Sequence, residues 1–232
     1  MTRNRTQNST SPRGAGPAFD DVDESLDRLV RPHGWQNPQP RGVYDLVVIG
    51  GGTAGLVSAV GAAGLGARVA LVERKRLGGD CLNTGCVPSK AILRTARAVG
   101  EIRRAAGLGV HTGRVDVDFG AVMRRMRRRR AELAPGDSAE RVTRLGIDLF
   151  FGEGSFIGRR ELALGSTSLR FRRAVIATGS RPAVPPIEGL ADTPYLTNET
   201  VFGLTERPAR LLTIGAGPIG CELSQALSLI HI

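Results

Sequence analysis

The chain has 232 residues, 41% hydrophobic, 23% charged and only 4% aromatic, with 31 Gly. That length and composition suit a globular protein able to bury a sizeable core, and so few aromatics argue against a nucleic-acid stacking platform. The net charge of +10 invites a polyanion partner, but thirty of the 32 basic residues are Arg, and the run RRMRRRR at 124–130 reads as a solvated helix face, because charge runs carry little specificity.

Residues 1–42, rich in Pro, Gly, Asn, Ser and Arg, predict a mostly disordered tail with a possible short helix around 20–30. The start MTRNRTQNST lacks the apolar stretch of a signal peptide, and three Cys do not suit a secreted disulfide framework, so a cytoplasmic location is expected. Residues 44–49 (YDLVVI) form a β-branched apolar run suited to a buried parallel strand. A small-residue helix over 53–65 and a second buried strand over 68–72, ending at Glu73, complete a β-α-β unit. The uncharged run 46–67 is long enough to span a bilayer. Its seven glycines favour a buried strand and helix instead, and no membrane partner is expected.

Pro88 suits the first turn of a helix reaching about residue 104. A longer helix is predicted over 119–145, with a break at Pro135-Gly136. Strands follow over 147–151, 161–164, 168–171 and 173–177. The stretch 181–194, with Pro182, Pro185, Pro186 and Pro194, predicts a linker, after which 210–214 opens a second strand–turn–helix unit.

Three motifs carry chemistry. GGGTAG at 50–55 satisfies G-x-G-x-x-G between a strand and a helix, with an acidic residue, Glu73, ending the next strand. That context is what a dinucleotide fingerprint requires. Gly50 permits the tight turn, Gly52 the close approach of backbone to pyrophosphate, and Gly55 the packing of helix on strand; the helix N-terminus faces the phosphates. GAGPIG at 215–220 repeats the pattern with Gly215, Gly217 and Gly220. Two fingerprints point to an enzyme relaying electrons between two nucleotide cofactors. The third motif is GGDCLNTGCVPSK at 78–90. Zinc would need four ligands, and Cys221 with His33, His111 and His231 supplies no second paired motif. A structural disulfide does not suit a reducing cytosol. Since a helix N-terminus favours a thiolate, a redox-active Cys81–Cys86 pair is the strongest reading.

These motifs, with AVIATGSRP at 174–182 and GAGPIGCE at 215–222, resemble in order and spacing the class I pyridine nucleotide–disulfide oxidoreductases. That family includes dihydrolipoamide dehydrogenase, glutathione reductase and mercuric reductase, and -CVPSK- with YDLVVIGGGTAGL is most similar to the mercuric reductase branch. The resemblance implies an α/β architecture: a Rossmann-like, three-layer FAD-binding domain with a parallel sheet over 43–182. A linker and the start of a second Rossmann-like, NAD(P)-binding domain would occupy 183–232.

It further implies that Gly50, Gly52, Gly55 and Glu73 hold the ADP half of FAD. Gly79 and Ala177-Thr178-Gly179 would lie against the same cofactor, with Gly154 near the adenine, and Gly215, Gly217 and Gly220 would serve NAD(P)H. Cys86 would sit beside the flavin and Cys81 would attack the substrate, a small disulfide or Hg(II). Lys90 would lie near flavin N5, paired with Glu222, and Cys221 would be a small buried hydrophobe. A homodimer is implied, with an acid–base His–Glu pair that none of the three His here fits. Asp80 and Thr84 depart from the usual Thr and Val, and Asp80 is expected to raise the Cys81 pKa. LSLIHI at 227–232 matches a translated library adapter, so a truncated reading frame, inactive alone, is expected. Two rivals remain: a flavoprotein such as a transhydrogenase, without the disulfide, and, from another class, a basic nucleic-acid-binding protein.

Overall fold

The structure, a computed structural model, describes residues 19–231. Helix α1 spans Phe19–Val30, strand β1 Val43–Ile49, α2 Thr53–Gly64 and β2 Val69–Glu73. Helices α3 (Gly79–Asn83), α4 (Cys86–Arg104), α5 (Phe119–Leu133) and α6 (Ala139–Arg144) follow. Strands β3 (Asp148–Phe151), β4 (Gly154–Gly158), β5 (Glu161–Leu164) and β6 (Thr167–Ile176) precede a final helix, α7 (Pro218–His231).

The strands make one sheet in the order β3-β2-β1-β6-β5-β4. Pairing is parallel from β3 to β6 and antiparallel through the β4–β5–β6 meander. Burial on both faces explains why β1 and β2 are apolar along most of their length. Val48, Val69 and Leu71 face a core shared with Leu26, Leu56 and Val142 from the helices. Val47, Ala70 and Val72 point the other way, into a core closed by Leu162, Leu169 and Phe171 of the meander. Strands buried on both faces read as continuous hydrophobic runs rather than alternating ones. A separate helical cluster joins α4, α5 and α7 through Ile92, Met123, Met126 and Ile230.

The β-α-β unit, the α/β class and the break after α5 stand as expected. Four details differ. The possible helix near 20–30 is present, and residues 31–42 are tied to the sheet, Asn37 to Phe151 and Arg41 to Asp148, rather than extending as tail; residues 1–18 lie outside the described residues. Val22, Leu26 and Val30 give α1 an apolar face that is buried, which a mainly polar composition concealed. The strands expected over 168–171 and 173–177 are one, β6, which ends at Ile176, with Arg172 unremarkable inside it because its guanidinium reaches Asp45 at 2.9 Å. Residues 210–214 pair with no strand among the described residues, and Leu212 is 84% exposed; an extended run needs a neighbouring strand to form a ladder. Finally, the run 124–130 is not a solvated face throughout: Arg127 and Arg130 are buried at 3% and 7% exposure. No helix among the described residues is long and apolar enough to cross a membrane.

Candidate functional site

The first glycine fingerprint shows why Gly50 and Gly55 must be glycine. Gly50 has φ of 106°, and a Cβ on it would lie 2.2 Å from the Ala177 carbonyl oxygen at the end of β6. A Cβ on Gly55 would lie 1.7 Å from the Gly50 oxygen, so only glycine lets α2 start so close to β1. Across the turn, Gly79 (φ 54°) brings its backbone against Gly52; a Cβ there would meet the Gly52 Cα at 2.6 Å. The turn is thus clamped between the exit of β6 and the start of α3.

Beside it lies a cavity of about 520 Å³, walled by Gly50, Gly52 and Thr53, by Glu73, by Gly79 to Cys81, and by Ala177 to Gly179. Helix α2 meets this cavity without a side-chain cap and without an acidic residue in its first turn, which leaves its first N–H groups free to receive an anion. Glu73 is buried at 8% exposure. Its carboxylate accepts from the Gly51 N–H and the Lys75 N–H, both at 2.6 Å. Each oxygen keeps acceptor capacity for a hydroxyl. Donors for phosphates on one wall and a fixed carboxylate on the other fit the pyrophosphate and ribose of a dinucleotide.

Cys81, in α3, forms part of the cavity wall, half-buried. Cys86 is the first residue of α4 and is exposed. The two come together: Cys86 and Thr53 are the hydrogen-bonding neighbours of the Cys81 thiol. Burial pushes the Cys81 pKa up, Cys86 adds to the rise, and Thr53 opposes it. Asp80, expected to raise that thiol, is not among its main influences. The carboxylate that raises Cys81 is Asp137, whose Oδ2 lies 3.0 Å from where a Cβ on Gly78 would sit. Adjacency in sequence misled here, because Asp80 faces Thr84, whose hydroxyl it accepts at 3.4 Å.

Lys90 and Glu222 meet as an ion pair at 2.5 Å, and Ser89 Oγ donates to the other Glu222 oxygen at 2.9 Å. These two donors hold the Glu222 carboxyl below the usual carboxylate range. This joins α4 to α7 outside the cavity wall. The second fingerprint repeats the local geometry of the first: Gly215 has φ of 107°, and a Cβ on Gly220 would lie 2.4 Å from the Gly215 oxygen. It is exposed, however, and lies apart from the cavity. Cys221 is exposed, its thiol 3.4 Å from the Ala216 carbonyl oxygen, and is not the buried hydrophobe expected. Gly154 opens β4 against Leu162, 2.9 Å from a would-be Cβ, and does not line the cavity.

Sequence reasoning passed over Thr53, Ser89, Asn83, Asp137 and Arg130. Thr53 and Ser89 sit inside the quoted motifs, where residue type alone marked them. Asp137 sits at the expected break after α5, and Arg130 was hidden in a charge run.

Comparison with known proteins agrees with this geometry. The profile of the pyridine nucleotide-disulphide oxidoreductase family matches residues 44–231. Mercuric reductase from Lysinibacillus sphaericus is 36% identical over 182 residues, covering 78% of this chain and 33% of that protein. Dihydrolipoyl dehydrogenase from Acholeplasma laidlawii is 33% identical over 186 residues, covering 78% of this chain and 55% of that protein. Among solved structures, a copper(II) complex of the HOCl-induced flavoprotein disulfide reductase RclA from Escherichia coli, in a cysteine-to-serine variant, superposes with a TM-score of 0.69. It is 27% identical, and the match covers 82% of this chain and 41% of that one. The chain therefore spans between about a third and about half of the length of these relatives. With its glycine turn, its carboxylate at the end of β2 and its paired thiols in one place, the chain belongs to the pyridine nucleotide-disulphide oxidoreductase family.

Proposed function

We propose that this chain supplies the flavin and dithiol site of an oxidoreductase that passes electrons from NAD(P)H through FAD to the Cys81–Cys86 pair. From there they would go to a small disulfide or to Hg(II). The observation that carries the reading is the position of Cys81: in the wall of the cavity at the first fingerprint, with Cys86 in hydrogen-bonding reach. Residues 43–182 are read as the FAD-binding segment and 183–232 as a linker and the beginning of the NAD(P)-binding part. A cytoplasmic homodimer belongs to the same reading.

Gly50, Gly52, Thr53 and Glu73 would hold the ADP half of FAD, with Gly79 and Ala177 to Gly179 alongside. Bound there, FAD would supply the two electrons that return the cysteine pair to its dithiol form, NAD(P)H being their source. The chain's own chemistry is thiol–disulfide exchange. Thr53 donates toward Cys81 and favours its thiolate, which attacks one sulfur of the substrate disulfide and releases the other as a thiol. Cys86 then attacks Cys81, releasing the second thiol and closing the Cys81–Cys86 disulfide. Two electrons and two protons leave the dithiol, and the substrate gains both. Hg(II) would instead take the same two sulfurs as soft ligands. Lys90 offers a fixed cation held in place by Glu222.

The mercuric reductase and dihydrolipoyl dehydrogenase relatives support both substrate classes. The test is the visible spectrum of the protein, expressed with the sequence that flanks this chain in its gene, during reduction. Flavin bands with a long-wavelength thiolate-to-flavin band, lost in Cys86→Ser, are expected. Colourless protein would overturn the proposal. Turnover with lipoamide against Hg(II) then separates the substrates.

A further inference from the structure

We propose that the segment 19–37, which lies ahead of the family match, is a working part of the cofactor and dithiol site. It would act as a clamp that fixes the loop 74–78 and helix α3, with Asp23, Arg31 and Arg130 as positioning residues. This rests on the function proposed above.

Three sets of contacts converge on that loop. Arg31 donates to the carbonyls of Arg74 and Lys75, both at 2.7 Å, and the Leu77 N–H donates to the Val30 carbonyl at 3.0 Å. Arg76 pairs with Asp27 of α1 at 2.7 Å. Arg74 to Arg76 also line the cavity beside Glu73, so α1 and its following turn hold the outer face of a cavity wall.

The third set reaches helix α3, which carries Cys81. Asp23 forms an ion pair with the buried guanidinium of Arg130, and Arg130 donates to the Asn83 carbonyl at 3.0 Å. The buried Asn83 amide in turn donates to the carbonyls of Leu77 and Gly79, at 3.0 and 2.8 Å. Those carbonyls flank the two left-handed glycines, Gly78 and Gly79 (φ 85° and 54°), that turn the chain into α3. A five-residue helix has too few internal hydrogen bonds to hold itself, so its position depends on this polar network. The network depends on Asp23, because a buried guanidinium deprived of its carboxylate strains to reach water.

The experiment compares wild type with Asp23→Asn and Arg31→Leu in the protein used for the spectrum. Leu169→Ala, in the separate core between the sheet and its β4–β5–β6 meander, is the control for lost stability. Two readings are taken below the unfolding range. One is FAD affinity by flavin fluorescence. The other is the iodoacetamide alkylation rate of Cys81 across pH, followed on its peptide by mass spectrometry. Both network variants should bind FAD about tenfold more weakly, because the cavity wall they hold is no longer fixed. Their Cys81 should alkylate several-fold faster at neutral pH, because burial is what raises that thiol. Leu169→Ala should change neither. If the network variants melt earlier but keep wild-type FAD affinity and Cys81 alkylation, the segment is packing only and the clamp is refuted. If wild type binds no FAD, the proposed function falls, and the alkylation comparison alone decides the clamp.

Discussion

Replacing Gly55 by Ala puts one methyl group where the first fingerprint leaves no space. The added Cβ would lie 1.7 Å from the Gly50 carbonyl oxygen, half the 3.4 Å at which ordinary contact begins. Neither atom is the end of a flexible side chain, so relief requires α2 to retreat bodily from β1. Overpacking costs about 1–3 kcal/mol where side chains can adjust, so a loss of about 3 kcal/mol is expected here. For a domain of this size that corresponds to a fall in Tm of about 6–12 °C. Moving α2 also withdraws its N–H groups from the cavity, so FAD affinity should drop with stability. Gly61→Ala, on the same helix, is the counterpart. It is exposed and has nothing within 4 Å of the added methyl, so helix propensity alone should raise stability by about 0.5–1 kcal/mol. Thermal unfolding by circular dichroism and a flavin titration read both. Gly55→Ala melting within about 2 °C of wild type, with unchanged FAD affinity, would refute the steric argument.

Asp137→Asn should lower the pH midpoint of Cys81 alkylation, because the Asp137 carboxylate adds to the rise of that thiol, whereas Asp80→Ser should leave the midpoint in place. Equal shifts in the two variants would contradict the structure. The Glu222 carboxyl is held below the usual range by Lys90 and Ser89. Its stabilisation is therefore present above the unfolded carboxylate pKa and lost as pH falls through the folded one. Lys90 is 59% exposed and Glu222 33%, so Glu222→Gln should cost only about 0.5 kcal/mol at pH 7, and denaturant titrations should show the gap closing below about pH 4. Tyr44 is pushed up to about 12, chiefly by burial. Its phenol stays protonated while an unfolded tyrosine ionises near 10, so stability should decline as pH rises above about 10. Tyr44→Phe, which removes the 2.8 Å bond to buried Asp148, should cost about 1–3 kcal/mol by denaturant titration at neutral pH.

Much of the site could be read from the sequence because its motifs are local. A glycine turn between a strand and a helix, an acidic residue ending the next strand, and cysteines five positions apart are short-range patterns. Gly50, Gly52, Glu73, Gly79 and Ala177 to Gly179 do gather around one cavity, while Gly55 packs α2 onto the turn behind it. The Lys90–Glu222 ion pair was expected from the family resemblance and not from spacing, since the two lie far apart in the chain.

The sequence by itself determined the β-α-β unit, the two glycine turns and the proximity of Cys81 to Cys86, because backbone sterics and short spacing decide those. Only the tertiary structure decided which charge acts on Cys81, and it chose Asp137 over the adjacent Asp80. It alone showed that Arg130, one of four consecutive arginines, is buried against Asp23 and supports α3. It also separated the second fingerprint from the cavity and left residues 210–214 without a strand partner. The reason is physical: burial, ion pairing and strand pairing are properties of groups distant in sequence. A residue's neighbours in the chain say little about which of them it will meet once the layers have packed.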